Sequence, residues 1–487
     1  MLQTNMSEST WGWAEARHLL SRAGFGGRPE EIQAVAAAGP ARGVAMLFDG
    51  DTPALPRPTW FDGYVAMARR HRRGLSPEKR KELQRKNRQV IREFQISWIQ
   101  HMIAAPDPAS MLREKMTLFW HGHFATSVRK VKFPPLLFQQ LSFLHENALG
   151  SFRDLLHGIA RDPAMLRYLD GNQNRKGRPN ENFARELMEL FSLGPGNYSE
   201  SDIKEAARAF TGWTSDPLHF RVRRRQHDYG RKTFLGHSGN LDGDDVIDII
   251  LEQPACAEFI TRKLLRFFGF EHASAEVAAS FAQLFRDQDY ALRPLLQAIF
   301  SHPDFYAEDS RGNQIKSPLQ LVVGTARTLN LQVSNGEFFL HMLALMGQVP
   351  YEPPNVKGWP GGRAWIDTSR LLTRFTFGEL VGLGKIPSEV DPRSRRDRDK
   401  SMKPRRKMGG MRRPRLEFEP ERLLTEEAAP ESVIGRLEEV LLCEPLSREE
   451  RAGLVQHFEA NLGKMARTQA LKAVVGEMMS LPAYQLG

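Results

Sequence analysis

The amino-acid sequence predicts a mainly α-helical fold, a single large multi-helix domain that carries one small β-hairpin. Three observations lead there. Apolar residues return at three- and four-residue intervals over most of the chain, the spacing of a buried helix face. Proline repeatedly follows a Ser or Asp able to cap a helix. Stretches that alternate apolar and polar residues, the pattern of a half-buried strand, are scarce.

In chain order, Gly24 falls where a first helix should stop. Ser76-Pro77 opens a long amphipathic helix in which Leu83, Val90, Phe94, Trp98 and Met102 share a face, and the basic stretch from Arg69 to Arg92 lies on its solvent side. Asp107-Pro108 opens a helix running to about Trp120, and Gly150 should end the next one. Asp162-Pro163 and Ser317-Pro318 mark two further starts, Gly194 a further stop, and Ser447 with Glu450 has capping-box spacing. Strand character is confined to Leu218–Leu235, where Phe220 and Val222 alternate with polar residues ahead of a turn at Gly230. There is no internal repeat of about 20–50 residues.

The 487 residues are 41% apolar and 26% charged, so a large core can form without disulfides or structural metal. Two cysteines, Cys256 and Cys443, exclude a four-thiolate zinc site and an iron–sulfur cluster. No apolar run reaches the roughly 18 residues of a membrane-spanning helix, and the N-terminus shows no signal peptide, so a cytoplasmic protein without membrane insertion is expected. No glycine-rich phosphate loop is present, which argues against a nucleotide cofactor. The formal charge of +10 sits in one place: residues 393–415 hold twelve Lys or Arg and two Asp, and twelve less two is ten. That segment has no apolar period. The expected organisation is a main helical domain over 1–389, a basic linker over 390–425 and C-terminal helices over 426–487 that pack on the main domain. The linker is a candidate grip for a polyanion, or simply a solvated insertion without aromatics to stack on bases.

Candidate chemistry gathers in five places. In Phe119-Trp120-His121-Gly122-His123 the two imidazoles are candidate metal ligands, provided Gly122 breaks the helix, because in a helix they diverge by about 200°. Around Phe183–Phe191, Asn182, Glu186 and Glu189 form a polar stripe beside an apolar sector; Glu186 is the candidate general base, Asn182 and Glu189 are candidate ligands, and Asn180 and Arg185 are candidate substrate contacts. The alternative there is a solvated face with an Arg185–Glu189 ion pair. From Asp170 to Glu181 oxygen-bearing residues partly match a calcium loop, with Asp170 first, although Arg175 replaces the glycine such a loop needs. His227-Asp228 is a candidate tuned base with its carboxylate, or a pair of turn residues. The loop Pro353–Gly362, with Lys357, Trp359 and the nearby Trp365, could line a substrate pocket.

Several of these stretches resemble a bacterial family, the domain of unknown function 1800. They include HLLSRAGFG (18–26), LREKMTLFWHGHFATS (112–127), AMLRYLDGNQN (164–174), PNENFARELMELFSLG (179–194), EAARAFTGW (205–213), HDYGRKTFLG (227–236), IKSP (315–318), PPNVKGWPGG (353–362) and LPAYQLG (481–487). The resemblance spans 18–487, with 390–425 as a variable piece. It implies one mainly helical domain, a frequent export signal that this chain does not show, and a gene neighbourhood shared with a sulfatase-like family. It assigns no activity. The functional expectation is therefore a metal-assisted hydrolase, with a divalent ion held by His121, His123, Glu189, Asn182 and Asp170 and with Glu186, His227 and Asp228 moving protons. The alternative is a non-enzymatic binding or assembly protein that grips a polyanion through 393–415.

Overall fold

A computed structural model describes residues 8–50, 53–70, 76–333, 336–386, 415–425 and 429–487. Its architecture is mainly α, with small β-hairpins. The described α-helices are α1 Trp13–Ala23, α2 Pro29–Ala37, α3 Pro40–Ala45, α4 Phe61–Arg70, α5 Pro77–Ala104, α6 Pro108–His123, α7 Pro134–Glu146, α8 Phe152–Arg161, α9 Pro163–Tyr168, α10 Asn182–Glu186 and α11 Glu200–Ala209. After the hairpins come α12 Gly243–Glu252, α13 Pro254–Phe267, α14 Ala275–Asp287, α15 Leu292–Ser301, α16 Pro318–Thr328, α17 Glu337–Met346, α18 Thr368–Leu383, α19 Pro430–Leu441, α20 Arg448–Leu462 and α21 Arg467–Met479.

The expected caps form. Ser76, Asp107, Asp162 and Ser317 each accept a backbone N–H three residues on, and proline follows each at the first helical position. Ser447 and Glu450 make the reciprocal capping box of α20. Gly24 closes α1, and Gly194 closes the helix before it with a left-handed φ of 76°.

The strand region differs from expectation. Two short hairpins replace one: β1 Trp213–Ser215 pairs with β2 Phe220–Val222, and β3 Lys232–Phe234 with β4 His237–Gly239. The second turns at Leu235-Gly236, both with positive φ, and not at Gly230. Leucine is a poor turn residue, so its sequence gave no warning. A third pair, β5 Gln332–Val333 with β6 Leu416–Glu417, returns the chain to the body after the basic segment. That segment, apart from Arg415, lies outside the described residues.

Two apolar clusters make the core. One draws on α1–α3, α8 and α10–α15, the other on α5, α7 and α16–α21. Helix α6 runs between them: Met111, Leu112, Met116, Phe119 and Trp120 join the first and Leu118 the second. Thirteen of its sixteen residues are buried, so it behaves as a central helix although it carries several polar side chains. Among the described residues no helix is long and apolar enough to cross a membrane.

The C-terminal α21 lies against α18 through glycine. A Cβ on Gly382 would fall 2.6 Å from the Gly476 Cα and 2.8 Å from the Lys472 carbonyl oxygen. On an exposed helix Gly→Ala stabilises by about 1 kcal/mol. Here Gly382→Ala is expected to destabilise by about 1–3 kcal/mol through overpacking. Urea denaturation of the variant reads the sign directly; a gain in stability would show that the two backbones are not this close.

Candidate functional site

The residues expected to carry chemistry are distributed by α6 and by the loop over its C-terminal end. Helix α6 does not break at Gly122 and continues through His123, so the two histidines leave it in different directions. His121 lies against Trp98 and Tyr351, whereas His123 stacks on Phe119 and meets Phe124 and Phe191. The His121 Nε2 accepts the Tyr351 backbone N–H at 2.9 Å, and burial takes its pKa down to about 3. Its imidazole is thus a neutral post for the start of the 351–362 loop. The His123 Nε2 bonds the Phe191 carbonyl at 3.0 Å, which makes it the donor and leaves Nδ1 as a buried acceptor without a partner among the described residues. Burial, and then the Lys263 cation, hold its pKa well below the usual histidine value.

The acidic stripe is re-registered. Leu187–Ser192 form a π-helix, not the expected continuous α-turn. Glu186 is half-buried, and burial followed by the neighbouring Glu189 charge raises its pKa. Glu189 stands 3.7 Å from the Lys357 Nζ. Arg185 pairs with Glu200 at 2.8 Å and Glu181 at 3.5 Å, and does not pair with Glu189. Asn180 and Asn182 donate to the carbonyls of Asp170 and Leu169. Asp170 accepts from Lys130 at 2.6 Å, and Asn174 and Asn172 accept backbone N–H groups of Asn180 and Ser215. The oxygens expected to face a calcium ion are therefore turned onto protein donors, which fasten the loop.

His227 and Asp228 are anchors of the second hairpin. The His227 Nδ1 bonds the Thr211 carbonyl at 2.9 Å, while Asp228 accepts from Arg208 Nε and the Gly230 N–H, each at 2.9 Å. Among the described residues, His121, His123, Glu189 and Asp170 do not gather into a histidine–carboxylate group that could hold a metal ion.

What does gather is a cavity of about 350 Å³ beside α6. Lys115, Phe119 and His123 of α6, Lys263, Arg266 and Phe267 of α13, and Lys357, Trp359 and Trp365 line it, together with Gln314, Gln320 and Gln348. Four of its lining residues are cations and none is acidic. Lys115 is 2% exposed and makes no hydrogen bond or ion pair among the described residues; its ammonium lies 5.3 Å from the Phe267 ring centre and 5.4 Å from that of Phe25. Burial lowers its pKa to about 7 and that of Lys263 to about 8. Among the described residues Lys263 has the Leu190 carbonyl, at 3.4 Å, and the Phe259 ring, whose centre is 5.1 Å from its ammonium. Trp365 is 6% exposed, and the Trp359 Nε1 is buried without a partner among the described residues.

The lid of this cavity is held by backbone contact. A Cβ on Gly358 would lie 2.2 Å from the Gly122 carbonyl oxygen, and Gly358 has a φ of 76°. Only glycine lets the loop seat on α6 here. Sequence reasoning found His123, Lys357, Trp359 and Trp365 but missed Lys115, Lys263 and Arg266. A signal for Lys115 was available: Glu114-Lys115 falls among the apolar residues Met111, Leu112, Met116, Leu118 and Phe119 of this helix.

Sequence reasoning also missed a second arrangement on α6. His101 of α5, Glu114 of α6 and His145 of α7 bring one ligand atom each within 4.8 Å of one another, a group that could hold a metal ion. These three histidine and glutamate side chains sit away from the cations just described, and none lines that cavity.

The chain belongs to the DUF1800 family, described as a protein of unknown function, with residues 18–486 matched. No curated protein and no solved structure matches it.

The Asp228 contacts generate a test. Its hydrogen bond from Arg208, and the Gly230 N–H, hold its pKa at about 2, below the ordinary 3.8. A depressed carboxylate stabilises the fold above its unfolded value and loses that contribution as pH falls through the folded one. Asp228→Asn should therefore lower stability by about 1–2 kcal/mol at neutral pH. The gap to the native protein should close as pH approaches 2. Chemical denaturation of both proteins across the acid range reads it; a gap that persists at the acid end would remove the ion-pair account.

Proposed function

We propose that this protein binds a small anionic molecule bearing a flat or ring-shaped group, in the cavity between α6, α13 and the 353–362 loop. The observation that carries this is the composition of the wall: four cations and no acid line it, and while Lys357 meets Glu189 and Arg266 meets Glu271, Lys115 and Lys263 have no ion pair among the described residues. Burying an ammonium without a counter-charge costs several kcal/mol. Lys115 is such a group, and an incoming sulfate, phosphate or carboxylate offsets that cost while its low-dielectric surroundings strengthen the attraction. Trp359 and Trp365 supply the apolar faces against which a ring can lie, and the three glutamines supply orienting amides. Three of the stretches that resemble the family meet at this wall: 112–127, 315–318 and 353–362.

A second reading, favoured by the unpartnered Nδ1 of His123, is hydrolysis of an ester of that anion. An anion bound in the cavity would raise the depressed pKa of this imidazole and so let it take a proton from an attacking water. The expected metal-assisted form with ligands at His121 and His123 has less support, because His121 Nε2 is spent on the Tyr351 N–H.

Both readings are tested with the full-length protein and 4-nitrophenyl phosphate and 4-nitrophenyl sulfate. Isothermal titration should detect binding of at least one of them, weakened roughly tenfold or more by Lys115→Met or Lys263→Met. Deleting 393–414 should leave it unchanged. Equal affinity in the lysine variants, or loss on deleting the basic segment, would favour the polyanion-binding alternative. His123→Gln keeps a donor for the Phe191 carbonyl and removes Nδ1. It should retain binding and lower release of 4-nitrophenol at least about a hundredfold. Undiminished release, or none from the native protein, would leave the cavity as a binding site only.

A further inference from the structure

The face of α6 away from the basic cavity poses a separate problem. Glu114 is 1% exposed, and each of its oxygens is fixed by side chains of neighbouring helices. The Trp98 Nε1–H donates to Oε2 at 2.8 Å. His145 Nε2 stands 2.8 Å and His101 Nε2 3.2 Å from Oε1. Trp98 and His101 lie one turn apart on α5, so a single helix face orients the carboxylate and supplies one imidazole. His145 comes from the last turn of α7, whose terminal carbonyls at His145 and Glu146 are bound by Arg113 of α6 at 3.1 and 3.2 Å. Three helices are thereby locked around one point.

We propose that His101, Glu114 and His145 form a binding site for a divalent transition-metal ion of the zinc class, with a further coordination position open to solvent. Two imidazoles and one carboxylate oxygen suit zinc and its first-row neighbours better than calcium or magnesium, which prefer all-oxygen sites. The spacing fits. Two ligands on a tetrahedral ion with bonds of about 2.0–2.1 Å lie roughly 3.3 Å apart, and small rotations of the two rings would open 2.8 and 3.2 Å to that value.

A second observation points to a bound group there. A cavity of about 320 Å³ adjoins the cluster, lined by Pro53, His101, Ala104, Ala105, Pro106, Ser110 and Glu114. Ser110 is 3% exposed, lies one helical turn before Glu114, and its hydroxyl is buried without a partner among the described residues. A buried hydroxyl left without a hydrogen bond is unfavourable. A water on the open position of the ion would offer it a hydrogen bond. Three protein ligands plus one water is the pattern of zinc sites that exchange their fourth ligand, whereas structural sites are closed by four protein groups.

The alternative is a proton-bridged His–Glu–His network with no ion, and metal titration separates the two. Chelator-treated full-length protein is titrated with Zn²⁺ by calorimetry, and metal content after equilibrium dialysis is measured by mass spectrometry. One ion per chain is expected, with a dissociation constant in the micromolar range or tighter. His101→Ala, at a partly exposed position, should weaken binding roughly a hundredfold while its far-ultraviolet circular dichroism matches that of the native protein. Co²⁺ in the native protein should show the intense visible bands of a low-coordinate centre, and His101→Ala should lose them. Zn²⁺ uptake equal in the native protein and His101→Ala, or no uptake at micromolar concentration, would overturn the site. Because the readout is metal and not substrate, its failure is independent of the fate of the basic cavity.

Discussion

The constraint on which the molecule turns is that α6 is buried from all sides and yet carries charge in its middle. A helix packed between two apolar cores should be apolar all round, and a side chain such as Glu114 or Lys115 must then find a partner or forgo solvation. The two residues solve this differently although they are neighbours in sequence. Adjacent helical positions do not face each other, so Glu114 and Lys115 do not neutralise each other. Glu114 points at imidazoles from α5 and α7 and finds its partners within the fold. Lys115 points between two phenylalanine rings at a cavity and finds none. On the first side a carboxylate is held by imidazoles of two neighbouring helices; on the second an ammonium faces a cavity without a counter-charge among the described residues.

The cavity is made by the same economy of space. The 353–362 loop can roof it only because Gly358 settles onto the Gly122 carbonyl, and because His121, deep in the second core, receives the Tyr351 N–H where the loop begins. One histidine of the His-x-His pair therefore builds the roof, and the other joins the wall. The π-helical turn at Leu187–Ser192 presents the Phe191 carbonyl to His123 and fixes which nitrogen carries its proton. On this account the tryptophans, lysines and His123 form one working surface, and the asparagines of the 170–182 loop serve to hold its surroundings.

The fold was largely legible from sequence because its signals are local. Four capped proline starts and a long apolar period on α5 depend on residues within a turn or two of each other, and each appears where expected. The second hairpin was not legible, since its turn is made by Leu235, a residue whose positive φ is imposed by the register around it. The site was legible in part. His123, Lys357, Trp359 and Trp365 were found by residue type, but the partners that give them meaning, Lys263 and Arg266 on α13, are more than a hundred residues away from α6. Spacing cannot report such meetings. Nor could it show that the oxygens of Asp170, Asn172 and Asn174 are already used by Lys130 and by backbone N–H groups. The His101, Glu114 and His145 cluster was invisible for the same reason: one residue from each of three helices.

The central claim, that the acid-free wall of the α6 cavity receives an oxyanion, is tested most directly by diffraction from crystals of the native protein soaked in tungstate, with the anomalous signal locating the metal. The account predicts a strong peak inside the cavity, within hydrogen-bond reach of Lys115 or Lys263. Tungstate bound only at surface arginines and lysines, with the cavity free of anomalous density, would contradict it.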